Sequence, residues 1–232
     1  MFTTERFFAG IWAFWFLSLM VMVLTMGVGP KIIGLPMGIA LLFLFYWCIK
    51  CAYRSERFSD YASLRLCFTL SCAPLFAFII SLAITYKQAK LGGIESIAIS
   101  SLPLVITGIA YALAYNRRGT DNSLHVHGQR VEVSESPRAN SWLVGGIGAG
   151  LSSLLYPLMQ AYNVPMSALV CVLVFLSLYL VFYHRINIAS LRALKERERR
   201  ERRHYTFMEL EYIRAVRKAS LLGRLFAVRP EL

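Results

Sequence analysis

The chain has 232 residues, of which 57% are hydrophobic and 16% charged, where a soluble domain carries about 25% charged residues. That shortage excludes a globule surrounded by water. The net charge of +12 would raise nucleic acid in a soluble domain. Here nearly all the basic residues lie beside apolar runs or in the C-terminal tail, where anionic lipid headgroups are the nearest opposite charge, so no nucleic acid is expected.

In chain order, six runs are long enough to cross a hydrocarbon layer, which takes about 20 apolar residues: Phe7–Val28, Ile32–Ile49, Leu66–Tyr86, Ser96–Tyr115, Trp142–Gln160 and Pro165–Tyr183. Backbone amides in lipid need internal partners, so each run is expected as a helix. The first run is longer than the roughly 7–15 residues of a signal-peptide core, and another follows almost at once, so it is read as a retained helix. The fold class expected is all-α and integral to a membrane. A six-helix transmembrane bundle occupies 1–183 and a basic helical tail occupies 184–232.

Orientation follows from Lys and Arg. With the N-terminus inside, 22 of them fall in cytoplasmic segments and only 3, Lys31, Lys87 and Lys90, fall outside. The positive-inside bias therefore predicts an N-in/C-in topology with both ends cytoplasmic. The compact layout and the lack of an N-x-[ST] sequon point to a bacterial inner (plasma) membrane. The outer connections are very short, so most of the chain outside the membrane is cytoplasmic.

Within the loop 116–140, residues Leu124–Val133 (LHVHGQRVEV) alternate apolar and polar about Gly128-Gln129. That pattern predicts a β-hairpin with a two-residue turn. A lone hairpin is marginal in water, so it needs the tail or a partner to pack on. The tail has no Pro or Gly between His184 and Gly223, and Lys195–Arg203 is nine consecutive charged residues. A long solvated helix is expected, with Glu196–Arg200 and Glu198–Arg202 as i,i+4 pairs worth roughly 0.2–0.5 kcal/mol each. Beyond it, Phe207, Leu210, Ile213 and Val216 recur every three residues, with Leu221, Leu222, Leu225 and Phe226 further on. This amphipathic stretch needs a surface to cover, whether membrane, hairpin or another protein. Arg214, Arg217, Lys218 and Arg224 favour the anionic inner leaflet.

The spans hold no Asp, Glu, Lys, Arg or His, with Glu95 and His184 at the edges. A proton-coupled carrier needs a titrating site and is disfavoured. The fifth span has the densest cluster of small residues. Gly145, Gly146, Ala149, Gly150 and Ser153 form a face on which helices approach closely, either within the bundle or against a second copy or a partner's helix. Pro74, Pro103 and Pro157 interrupt spans, and neighbouring hydroxyls at Ser71, Ser100, Ser101 and Ser153 offer partners for the freed carbonyls.

Five cysteines, Cys48, Cys51, Cys67, Cys72 and Cys171, lie in or beside apolar runs and do not read as a disulfide framework. The Cys48-x-x-Cys51 pair lacks the strand context of a redox motif. His125 and His127 fall short of a structural zinc set, which takes four ligands. No metal, cofactor or catalytic residues are expected. The function expected is that of a non-enzymatic inner-membrane protein acting through protein–protein contacts. Assembly subunits of secretion or conjugation systems, entry-exclusion factors and toxin-immunity proteins share this description. The alternative is a passive channel or carrier for a neutral or weakly polar solute.

Overall fold

The computed structural model describes residues 7–117, 124–128, 130–133, 166–208 and 210–220. Five helical stretches among them are long and apolar enough to cross a membrane: Phe7–Val28, Lys31–Arg54, Phe58–Gln88, Gly93–Asn116 and Met166–Tyr183. The expected fifth span, Trp142–Gln160, lies outside the described residues, and with it Gly145, Gly146, Ala149, Gly150 and Ser153. The far tail from Leu221, including Arg224, lies outside them as well.

Helix α1 is Phe7–Val28. Helix α2, Gly34–Ile49, enters through a 3-10 turn at Lys31–Ile33 and leaves through a π-helical turn at Lys50–Arg54. Helix α3, Phe58–Leu82, likewise ends in a π-helical turn at Ala83–Gln88. The fourth span is two pieces, α4 (Gly93–Ser100) and α5 (Leu102–Asn116), joined at Ser101 with Pro103 in the first turn of α5. Proline carries no amide hydrogen to donate, so the break falls where the backbone loses least. Helix α6 is Met166–Tyr183.

Helix α3 is the central post, packing on α1, α4, α5 and α6, whereas α2 rests mainly on α1. It begins at Phe58 rather than at Leu66 as expected. The extra turns carry Asp60 and Arg65, which hide them from a hydropathy reading. They nonetheless bury Phe58, Tyr61, Ala62 and Leu64. Two hydroxyl pairs join helices in the apolar interior, Thr85 Oγ1 with Ser100 Oγ at 3.0 Å and Thr107 Oγ1 with Ser177 Oγ at 2.9 Å. Each of these threonines is also within bonding distance of a carbonyl one turn earlier, Ser81 O and Pro103 O. Ser71 and Ser101 donate to carbonyls of their own helices, Phe68 O and Ala98 O.

The helices run up and down between two clusters. One holds Val21, Ile33, Phe78, Ile79 and Leu82. The other, larger cluster gathers the opposite helix ends: Phe7 and Ile11 of α1, Cys48 of α2, Phe58 and Tyr61 of α3, and Val181 of α6. Residues from the hairpin and tail complete it, namely Val131, Ile188, Leu191, Leu194, Tyr205, Phe207 and Ile213. We call this the basic end, and the hairpin and tail covering it the cap.

The tail departs from the single long helix expected. Helix α6 stops at Tyr183, and α7 (Arg185–Glu201) ends at Arg202, which adopts a left-handed backbone with φ of 51°. A two-residue strand β3, Thr206–Phe207, and helix α8, Leu210–Ala219, follow. The expected hairpin forms as β1 (Leu124–His127) antiparallel to β2 (Arg130–Val133), with Gly128 at φ 62° in the turn. Positive φ is the conformation glycine takes without steric cost. Strand β3 adds in parallel to β2, so the hairpin does pack on the tail.

Candidate functional site

The cap is held to the helix ends by polar groups that helix termini leave unsatisfied. At the start of α3, the Phe58 N–H donates to Tyr205 O at 2.9 Å, and the Ser59 hydroxyl donates to Glu198 Oε2 at 2.8 Å. Glu198 Oε1 accepts from the Tyr205 N–H at 3.2 Å. A carboxylate there also faces the positive end of the α3 dipole. Glu198 is thus drawn into the cap. Ion pairs along α7 include Arg192–Glu196 and Arg197–Glu201, both 2.7 Å, while Glu198 turns to Ser59 and Tyr205 and not to Arg202 as expected.

Helix C-termini are closed by arginines of the tail. Arg192 Nη1 donates to Tyr115 O, in the last turn of α5, at 2.6 Å. Arg217, only 5% exposed, donates to three carbonyls where α2 runs out: Ala52 O at 2.7 Å, Ser55 O at 2.7 Å and Cys51 O at 3.3 Å. Burial pushes its guanidinium pKa down. The planar fork of arginine suits several carbonyls at once.

Beside this latch lies an open cleft of about 840 Å³. One wall is the end of α2 and the turn into α3, with Tyr46, Lys50, Tyr53, Arg54, Ser55, Glu56, Arg57 and Asp60. The other wall comes from the tail, with His204, Thr206, Arg214, Arg217 and Lys218. Six cations face two carboxylates, and both carboxylates are engaged. Glu56 receives two bonds from Arg214, at 2.7 and 2.8 Å. The hydrogen bond from Arg214 holds the Glu56 carboxyl below its usual range, and Glu56 in turn raises the Arg214 pKa. Asp60 accepts from the Ser55 hydroxyl at 2.9 Å and pairs with Lys50 at 3.5 Å. The side chains of Arg54, Arg57 and Lys218 have no partner among the described residues.

The tail residues marked from sequence are thereby sorted. Phe207, Leu210 and Ile213 are buried together against the helix ends, and Val216 is half-buried, so the surface this stripe covers belongs to its own chain. Arg214 and Arg217 bind Glu56 and backbone carbonyls, and Lys218 lines the cleft. Sequence reading missed the opposite wall. Lys50, Arg54 and Arg57 registered there only as topological charge, and their one local signal was their crowding within eight residues with Glu56. His125 and His127 place their backbones in β1. Cys48 and Cys51 are buried free thiols. Among the described residues no three His, Cys, Asp or Glu side chains group closely enough to hold a metal ion. Comparison of the chain with protein-family models, with curated proteins and with solved structures finds no match to any of them.

Proposed function

We propose that this chain is a six-span protein of a bacterial inner membrane, with both termini in the cytoplasm, that works without catalysis by presenting its folded basic cap to a protein partner. The observation that carries this reading is the cap itself. A tail that merely trailed from the last span would not need a buried core of Phe207, Tyr205, Leu194 and Ile213 locked onto the helix ends. Folding that core gives the outward charges of α7, among them Lys195, Arg199 and Arg200, a fixed spatial arrangement, which is what recognition of a protein surface requires.

The sixth crossing and the shared side of the termini rest on two supports. One is the apolar run Trp142–Gln160 with the bias of 22 basic residues against 3. The other is geometric: β2 sits at the basic end, while Met166 starts α6 at the other end, where Gln88 Nε2 lies 3.7 Å from Met166 Sδ. The strip of small residues at Gly145, Gly146, Ala149, Gly150 and Ser153 belongs to the same reading as a second contact face for a partner's helix or a second copy. A passive channel gains no support from the described interior, where Thr85, Ser100, Thr107 and Ser177 bond to one another or to their own helices.

The test is crosslinking and purification of the tagged full-length protein from its native membrane, beside a variant carrying Lys195→Glu, Arg199→Glu and Arg200→Glu. These side chains are exposed and lie outside the core, so the cap stays folded. A defined protein adduct that disappears in the variant is the expected result. No adduct from the unaltered protein, together with solute flux in liposomes, would reverse the reading in favour of a channel.

A further inference from the structure

We propose that the cleft between the end of α2 and helix α8 is a binding site for a phosphate-bearing anion, whose charge is read by Arg54, Arg57 and Lys218. This inference is independent of whether the cap also meets a protein.

The fold already uses half of the positive charge around the cleft. Of the six cations around the cleft, Lys50 is committed to Asp60, Arg214 to Glu56 and Arg217 to three backbone carbonyls. Both carboxylates are consumed by these contacts. Three positive side chains remain without partners among the described residues, and they come from both walls: Arg54 and Arg57 from the turn after α2, Lys218 from α8. Like charges converging on one space raise its potential and draw in an anion. The walls are also fixed before any ligand arrives. Arg217 pins α8 to the α2 terminus, and the doubly bonded Arg214–Glu56 pair spans the same gap. A preorganised site loses less freedom on binding than a flexible basic tail does.

Two further observations select the chemistry. The volume, about 840 Å³, sits within the roughly 300–1,000 Å³ of small-molecule pockets, so it admits a phosphate together with the groups esterified to it. The cleft also opens where the Lys31–Arg54 span ends, with the exposed ring of Tyr46 about two turns inside it. Tyrosine collects at the level of lipid headgroups. Guanidinium groups favour phosphate oxygens because their forked donors match them. The ligand is therefore a phosphate ester or free phosphate, reached either from the bilayer as a lipid headgroup or from the aqueous side.

The experiment titrates the purified full-length protein in a neutral detergent with short-chain phosphatidylglycerol, short-chain phosphatidylcholine and inorganic phosphate, scoring bound adducts by native mass spectrometry. Three proteins are compared: the unaltered chain, an Arg54→Gln/Arg57→Gln/Lys218→Gln variant, and a Lys31→Gln/Lys87→Gln/Lys90→Gln variant that removes as many charges at the opposite end. The expected result is saturable binding of phosphatidylglycerol or inorganic phosphate that weakens about a hundredfold in the cleft variant, at roughly fivefold per basic residue. The opposite-end variant keeps its affinity. Preference for the lipid assigns the bilayer as the source, and preference for inorganic phosphate assigns the aqueous phase. Lack of saturable binding by either, or equal weakening in both variants, overturns the proposal. If the triple variant does not fold, Arg54→Gln and Lys218→Gln singly, one from each wall, carry the same test at about fivefold each.

Discussion

Removing the Arg217 side chain tests how the tail is held. Replacement by Met keeps the length and apolar bulk of the stem while deleting the guanidinium. Two bonds of 2.7 Å from a charged donor, to Ala52 O and Ser55 O, are lost, and with them a weaker one of 3.3 Å to Cys51 O. Bonds from a charged donor contribute about 1.5–3 kcal/mol each. Against that stands the cost of burying the cation, which is relieved when it is removed. The net loss is about 2–3 kcal/mol. Docked α8 should then open about 30- to 150-fold more often, since each 1.4 kcal/mol is tenfold. Hydrogen exchange across Leu210–Ala219 in the detergent-solubilised protein reads that opening directly. Arg217→Lys should fall between the two, because an ammonium keeps the charge but not the fork. Unchanged exchange in Arg217→Met, with the protein still folded, would refute the claim that this residue latches the tail.

Three other contacts have consequences that can be measured. Phe207 touches the rings of Phe7, Phe58 and Tyr61 at centroid distances of 5.5 Å each and is 1% exposed. Phe207→Ala should therefore cost about 3–5 kcal/mol, seen as a fall in thermal midpoint, and no loss would mean the cap core is not packed as described. Glu56, its pKa lowered by Arg214, contributes stability that is present above its unfolded value of 4.5 and is lost as pH falls through the lower folded value. Both partners are more than a third exposed, so the contribution is at most about 1 kcal/mol. Exchange in α8 should rise below pH 4.5, and this acid component should be absent in Glu56→Gln; an identical acid profile in the variant would remove the pair from the account. Within the bundle, a double-mutant cycle of Thr107→Val and Ser177→Ala should give a coupling of about 0.6 kcal/mol, the average for hydrogen bonds between membrane helices. Zero coupling would show that the 2.9 Å contact does not hold α5 to α6.

How far the sequence carried this picture depends on which signal each element gives. Uninterrupted apolar runs marked α1, α2, the α4–α5 pair and α6 almost to the residue, because lipid demands a continuous apolar surface. The start of α3 escaped that reading, since Asp60 and Arg65 interrupt its apolar run even though Phe58, Tyr61 and Ala62 are buried in the cluster beneath the cap. The hairpin was legible from its alternation about Gly128. Its third strand was not. Tyr205 and Phe207, two apart and both buried, are the period-two signature of a strand, yet Phe207 also opens the three-residue stripe through Leu210 and Ile213. The helical reading absorbed it. Least visible was the cleft: a basic tail reads as solvated or lipid-bound, and nothing local tells that Arg217 turns inward to carbonyls 162 to 166 residues earlier in the chain while Lys218 beside it lines the cleft.

The side of the membrane on which each end of the bundle lies decides whether the cap is cytoplasmic. In a protein whose native cysteines are replaced, single Arg54→Cys, Lys90→Cys and Lys195→Cys sites can be probed with a membrane-impermeant thiol reagent in right-side-out and inverted vesicles. The account predicts that positions 54 and 195 react only in inverted vesicles and position 90 only in right-side-out ones. Positions 54 and 195 reacting on opposite sides, or all three reacting on one side, would contradict it.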